Sequence, residues 1–160
     1  MSLSLNHLIS VISGPTEVFF SPGEDCLGAI LGLLHSASAS LHLCVFTVSD
    51  DRITRAILGA KRRGVEVRLL TDNEKLYDDG SDIRQLARAG IAVRVDNTPN
   101  HMHHKFAVAD RRTLLTGSYN WTRSAALYNH ENILVTAEPR VVAAYAEQFA
   151  TLWEAMTPFT

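Results

Sequence analysis

Hydrophobic and polar positions along this chain change period several times, and each change marks an element. Glu17-Val18-Phe19-Phe20 is a short apolar stretch closed by Ser21-Pro22-Gly23, a turn signal. A helix is predicted from Asp25 to about His35. Ser40 to Phe46 reads as a nearly continuous apolar strand of the kind buried on both faces. Asp50 or Asp51 caps the next helix, in which Ile53, Ala56, Ile57 and Ala60 recur at helical spacing until Gly64 stops it. Val65–Leu70 is a strand, Asp79 or Ser81 caps a helix that runs through Ala89 to Gly90, and Ile91–Val95 is the strand after it. Strand, helix and glycine-stopped turn in alternation are the mark of βαβ units.

The second half changes pattern. Lys105–Ala109 and Thr113–Thr116, separated by Asp110-Arg111-Arg112, predict a hairpin, and Asn132–Thr136 a further strand. Pro139 opens a last helix whose apolar stripe is Val142, Tyr145, Ala146, Phe149, Leu152 and Trp153. The expected architecture is α/β, a mixed central sheet with helices on both faces, with residues 1–160 in a single domain.

Composition agrees. A chain of 160 residues with 46% hydrophobic content can bury one core, and two domains would be a tight fit. The net charge of −2 provides no overall field for nucleic acid but leaves room for a local basic groove. Cys26 and Cys44 form neither a metal-binding pair nor a disulfide framework, and Cys44 reads as a core residue. The start, Met1 to His7, lacks the basic region of a signal peptide, and no apolar run reaches the ~18 residues of a membrane span. The expectation is a soluble cytoplasmic protein without stable membrane insertion.

The chemistry is concentrated in His103-His104-Lys105-Phe106-Ala107-Val108-Ala109-Asp110 and the following Gly117-Ser118-Tyr119-Asn120. Strand alternation puts His103 and Lys105 on one face, with His104, Phe106 and Val108 on the other. Gly117 permits a tight backbone approach, and Ser118 and Asn120 share a face. At a phosphodiester a neutral imidazole can attack phosphorus, and a lysine can hold the charge on the non-bridging oxygens. The Asn120 amide and Ser118 hydroxyl can donate to the same oxygens, and Glu131 can orient the histidine through its second ring nitrogen. Asp110 is a candidate of this set, but its carboxylate suits a structural or pairing role, fixing a ring or a hairpin, better than a catalytic one.

The segment resembles the phospholipase D superfamily: His103, one residue, Lys105, four residues, Asp110, then Gly117-Ser118, Asn120 and the downstream Glu131. The resemblance implies a phospholipase D-like α-β-α sandwich. It also implies a metal-independent phosphodiesterase that needs no cofactor and passes through a phosphohistidine. In that carry-over His103 is nucleophile or acid, Lys105 and Asn120 hold the phosphate, Ser118 supports them and Glu131 orients the histidine. Two-motif members carry the motif twice, whereas residues 1–100 contain no second His-x-Lys. The chemistry needs one histidine to attack and one to protonate the leaving oxygen, so a homodimer with a composite site is expected. The small single-motif members, bacterial endonucleases and the mitochondrial hydrolase subgroup, are of this kind. An endonuclease acting on DNA or RNA is the first expectation. A phospholipid phosphodiesterase and a noncatalytic nucleic-acid-binding module are the alternatives.

Other residues carry weaker signals. His101, His103 and His104 are crowded enough to suggest zinc, though the cysteines of a finger are missing. His104 is expected to pack behind the strand or meet a backbone acceptor, and His101 to line the site mouth. Trp121 can stack on a base or fill the core, and Arg123 can make a second phosphate contact. Phe46 and Thr47, ending a strand, can line the same pocket. Lys61-Arg62-Arg63 suits a helix C-terminus better than a nucleic-acid patch, and the polar stretch Asp72–Ser81 can rim the site.

Overall fold

The computed structural model describes residues 16–160, so the reading of Met1 to His7 lies outside the described residues. Chain order runs β1 (Thr16–Ser21), α1 (Asp25–Ser36), β2 (Ser40–Val45), α2 (Asp51–Arg62), β3 (Glu66–Thr71), α3 (Ile83–Arg88) and β4 (Ala92–Val95). It continues through β5 (Lys105–Ala109), β6 (Thr113–Gly117), α4 (Arg123–Leu127), β7 (Glu131–Thr136), α5 (Pro139–Ala155) and β8 (Thr157–Phe159). The strands predicted from periodicity all form, with ends shifted by a residue or so. The short α4 and β8 were not foreseen: α4 is too short to show a helical period, and β8 contains Pro158, which weakens a strand reading.

The eight strands form one sheet in the order β1-β7-β6-β5-β2-β3-β4-β8. Strands β2, β3 and β4 pair in parallel, as their helical crossovers require, and every other neighbouring pair is antiparallel. The period of two along each strand divides the core. Leu41 and Leu43 of β2 join Ala107 of β5 and Leu115 of β6 under α1, α2 and α3, which contribute Leu27, Ile30, Leu34, Ile53, Ile57, Ile83 and Leu86. Cys44, Leu70, Phe106, Val108 and Leu114 point the other way, against Val142, Phe149 and Trp153 of α5. Each such fully buried Leu or Phe contributes roughly 1.5–3 kcal/mol. The result is the expected sandwich, with α1 to α4 on one face and α5 on the other.

Capping follows the sequence. Buried Asp50 accepts the backbone N–H of Arg52 at 3.0 Å and pairs with its guanidinium at 2.9 Å, which starts α2. Glu138 accepts the N–H of Val141 at 2.8 Å and Pro139 opens α5. The α3 cap differs from expectation: the cap residue is Asp82, whose side chain accepts from Thr54 at 2.6 Å instead of the helix backbone.

Asp110 lies in the turn between β5 and β6 in a left-handed conformation, φ 54°. Its carboxylate accepts N–H groups of Ser38, Ala39 and Ser40 at 2.7–3.1 Å, which clasps this turn to the entry of β2. Burial pushes the Asp110 carboxyl up, but the N–H groups of Ala39, Ser40 and Ser38 outweigh it and hold the group below the usual carboxylate range. A carboxyl depressed in the folded chain stabilises above its unfolded value, and that stabilisation is lost as pH falls through the folded one. Asp110→Asn is therefore expected to cost about 2 kcal/mol at pH 7. Urea unfolding as a function of pH should show the gap between variant and parent closing below about pH 4.

Candidate active site

Antiparallel pairing of β2 with β5 sets Val45 opposite Lys105, so the carboxyl end of β2 meets the amino end of β5. Pairing of β6 with β7 sets Gly117 opposite Ile133 and brings the exit of β6 to the entry of β7. Those four strand ends share one edge of the sheet, and the motif residues from His103 to Glu131 gather there.

Lys105 is the centre of the arrangement. Its Nζ lies 2.9 Å from Nδ1 of His103 and donates to the His103 carbonyl oxygen at 2.7 Å. The predicted shared face is thus observed. Burial lowers the Lys105 pKa, opposed by the charge of Glu131. Burial also lowers that of His103, joined by the charges of Lys105 and His101. The lowered His103 pKa favours a neutral imidazole, the form with a lone pair to attack.

Gly117 is required by a close approach: a Cβ there would stand 2.0 Å from the carbonyl oxygen of Asn132. Ser118 donates its backbone N–H to that oxygen at 3.0 Å. The Ser118 hydroxyl donates to the Glu131 carboxylate and accepts the Asn132 N–H at 3.1 Å. Ser118 therefore supports Glu131, and its proton is not free for a phosphate. The other Glu131 oxygen accepts from the Asn129 amide at 3.3 Å. Glu131 makes no hydrogen bond to His103 of its own chain, its carboxylate being taken by Ser118 and Asn129.

A cavity of about 710 Å³ opens beside these groups, lined by His103, Lys105, Ser118, Asn120 and Glu131 and walled by Phe106, Ala144 and Tyr145. Phe46 stands at its mouth, with ring centroids 4.6 Å from His103 and 5.6 Å from His101. The ammonium groups of Lys105 and Lys75 lie 5.5 and 5.1 Å from the Phe46 ring centre, so the polar loop after β3 does reach the rim. Thr47 is half-buried and brings no side-chain hydrogen bond to the site.

Several candidates fall elsewhere. Asp110, placed with the catalytic set in the sequence, stands at the opposite end of β5 and serves as the clasp described above. Trp121 is fully buried in the core under α1 to α3 and cannot stack on a ligand. Alternation accounts for this: Tyr119 and Trp121 turn inward while Ser118 and Asn120 turn to the site. Arg123 is exposed at the start of α4 and is not part of the cavity wall. Lys61, Arg62 and Arg63 end α2 at the far edge of the sheet, where Arg63 donates to the carbonyls of Leu34 and Ala37 at 3.0 Å and closes α1. His104 is exposed, with its ring edge-on to Phe106 instead of packed behind the strand.

The three histidines do not form one metal-binding cluster. His101 turns instead to fully buried Asp72, whose Oδ2 lies 3.3 Å from its Nδ1 and accepts the Met102 N–H at 2.8 Å. Asp72, Glu74 and His101 are the group among the described residues close enough to share an ion, and hydrogen bonding accounts for the grouping.

Sequence reasoning missed Ser21. This buried residue ends β1, donates to the Asn129 carbonyl at 2.8 Å and accepts the Glu131 N–H at 3.1 Å. It fixes the loop that presents both Glu131 and its Asn129 partner. Ser21→Ala is expected to lower kcat about three- to tenfold with little change in KM, a size set by one lost hydrogen bond. Steady-state kinetics that separate the two constants check it. Ser21 lies 110 positions from Glu131 in the chain, so no local spacing signals the pair.

Residues 30–153 match the family model described as "Cardiolipin synthase, PLD-like domain". The chain is 46% identical over 135 residues to mitochondrial cardiolipin hydrolase of Chlamydomonas reinhardtii, covering 84% of this chain and 60% of that protein. It is 44% identical over 136 residues to the Homo sapiens protein of the same name, covering 85% of this chain and 54% of that protein. It thus spans little more than half the length of these relatives. Phospholipase D of Rickettsia felis is 32% identical over 143 residues, with 89% of this chain and 72% of that protein covered. Among solved structures, Nuc of Salmonella typhimurium, a phospholipase D family member, superposes with a TM-score of 0.84 at 26% identity, over 91% of this chain and 97% of that one. The relatives' names overturn the expected cytoplasmic placement, since those at 44–46% identity are named as mitochondrial. No helix of the described residues is long and apolar enough to cross a membrane.

Proposed function

The chain belongs to the phospholipase D-like family, and from that premise we propose that it hydrolyses phosphodiesters through a phosphohistidine on His103, in a site completed by a second copy of the chain, with phospholipid as substrate. The observation that carries the reading is Lys105 Nζ at 2.9 Å from the ring of His103 beside an open cavity.

In the free chain the lysine occupies a ring nitrogen. An arriving phosphate draws the ammonium to its non-bridging oxygens and releases the imidazole lone pair, joined by the Asn120 amide as donor. His103 then attacks phosphorus: a P–N bond forms, the P–O bond to the leaving alcohol breaks, and a proton reaches that oxygen from His103 of the partner subunit. Water next attacks phosphorus and gives its proton to the same partner imidazole. The P–N electron pair returns to His103 and the phosphomonoester leaves. No step calls for a metal ion or other cofactor. Glu131, fixed by Ser118 and Asn129 and turned from its own chain's histidine, is free to meet the partner's ring.

The cavity wall supports a lipid. Phe106, Ala144 and Tyr145 give it an apolar side, and Lys105 is the sole lysine or arginine among its lining residues. A nucleic-acid groove needs several cations to track a backbone, and the basic run at Lys61–Arg63 stands at the wrong edge of the sheet. The names of the relatives point the same way. Nuclease activity is the second reading, favoured by Phe46, whose flanking ammonium groups make it a platform for a base.

The test is one panel in EDTA. The parent chain and His103→Ala are incubated with anionic phospholipid vesicles, single-stranded DNA, duplex DNA and RNA. Release of a phosphomonoester lipid by the parent alone supports the proposal, and cleavage restricted to DNA or RNA shifts it to the second reading. Binding without turnover in both chains leaves a noncatalytic module and overturns it.

A further inference from the structure

A second cavity lies between the β5–β6 turn and α5, with a volume of about 680 Å³. Val142, Ala143, Ala146 and Ala150 of α5 give it an apolar wall, and Arg111 and Arg112 border it from the turn. It shares no lining residue with the catalytic cavity. The turn leaves β5 at the end opposite Lys105, so a strand length separates the two sites. Both arginines are exposed, and among the described residues neither guanidinium pairs with a carboxylate. Arg111 is also held against its backbone preference. Asp110 and Arg111 are both left-handed, φ 54° and 56°, in a turn closed by the Arg112 N–H on the Ala109 carbonyl at 2.9 Å. Glycine is the residue that such a position favours. The chain keeps a cation over the groove instead.

We propose that this groove binds a single-chain anionic amphiphile, its carboxylate or phosphate head on Arg111 and Arg112 and its alkyl chain laid along α5. The small side chains at 143, 146 and 150 repeat on one side of the helix and leave room for a chain against it. From Pro139 to Ala150 the helix rises roughly 16 Å, the length of an extended chain of about a dozen carbons. Charge selects this occupant over others. Glu147 lies farther along the same wall, exposed and without an ion-pair partner among the described residues. It repels a peptide or nucleic acid that carries negative charge along its length, but not a ligand charged at one end only. Residues 1–15 contain no aspartate or glutamate and bring nothing to match the arginines. The second copy of the chain that completes the catalytic site meets the other end of β5. The proposal therefore stands apart from the hydrolytic reading.

The experiment is isothermal titration calorimetry of the full chain with dodecanoate, dodecyl phosphate, dodecanol and dodecyltrimethylammonium, each below its micelle concentration. Dodecanoate is expected to bind about five- to tenfold more tightly than dodecanol, the size of two partly exposed charge pairs. Whichever of the carboxylate and the phosphate binds more tightly identifies the preferred head. Arg112→Ala and Arg111→Gly should each weaken dodecanoate about threefold. Arg111→Gly should also raise Tm by about 2 °C by relieving the left-handed position, so its loss of binding does not come from unfolding. Ala143→Phe, at an exposed position, fills the groove and should abolish the titration. Equal affinity for dodecanoate and dodecanol, equal affinity for the cationic amphiphile, or binding untouched by Arg112→Ala and Ala143→Phe overturns the site. Lys105→Ala should leave dodecanoate binding unchanged. A loss there places the ligand in the catalytic cavity and overturns the proposal as well, as does an acidic helical peptide that binds where dodecanoate does not.

Discussion

His103→Ala should reduce kcat/KM on every diester the chain hydrolyses by about four orders of magnitude or more, the size seen when a covalent nucleophile is removed. No neighbour can replace the ring. His101 is turned to Asp72 and His104 stands against Phe106, so neither shares the position of His103 beside Lys105. Folding should be spared, because His103 is exposed and its side chain bonds to Lys105 alone. A thermal melt within about 2 °C of the parent is expected, the range of a surface substitution. The parent's pH profile carries the same argument. Burial, Lys105 and His101 lower the His103 pKa, so the neutral nucleophile persists below the usual value of about 6.5 and the acid limb of kcat/KM lies under it. An active His103→Ala chain would remove the phosphohistidine from the account.

Gly117→Ala should be the most damaging substitution for stability. The added Cβ would meet backbone, the Asn132 carbonyl oxygen at 2.0 Å and its carbon at 2.8 Å, and backbone cannot rotate aside as a side chain can. Strands β6 and β7 must separate at Gly117–Ile133, and with them goes the Ser118 N–H to Asn132 bond at 3.0 Å. A cost of about 3 kcal/mol or more is expected, at the upper end of overpacking losses. The same shift withdraws Ser118 from Glu131, so activity should fall even at temperatures where the variant stays folded. Urea unfolding with activity measured at the same temperature tests both parts. A variant as stable and active as the parent would show that the two strands slide apart freely here.

The part of the site visible in sequence is the part that one hairpin carries. His103, Lys105, Ser118 and Asn120 lie on strands and tight turns where the period of two states which way each side chain points. That same period places Trp121 with Tyr119 in the core, a reading the base-stacking option set aside. What stayed hidden depends on contacts between distant segments. Ser21 and Glu131 meet because β1 closes the sheet beside β7, and Asp72 reaches His101 because β3 and β4 end side by side. Asp110, grouped with the catalytic set by its motif spacing, takes the structural role its position also suggested. Its spacing from Lys105 is regular, but a strand is long, and a residue at its exit lies a whole strand length from one at its entrance. The fold was legible almost throughout, since alternating βα units and a capped amphipathic helix each carry their own period. Only α4 and β8 are too short to carry one.

The line where β2 meets β5 divides the sheet into a wholly antiparallel portion and one built on the parallel strands β2 to β4 with antiparallel β8 at its edge, and the two portions contribute differently. Lys105, Ser118, Asn120 and Glu131 belong to the antiparallel side and His103 stands two residues before β5, while Phe46 and Lys75 hang from loops on the parallel side. Selectivity and reactivity can therefore drift independently: exchanging the stretch from Asn73 to Ser81 for one of another sequence should retune which headgroup is accepted without redesigning the bond-breaking apparatus. That modularity offers a physical route by which one scaffold could serve chemically unrelated diesters.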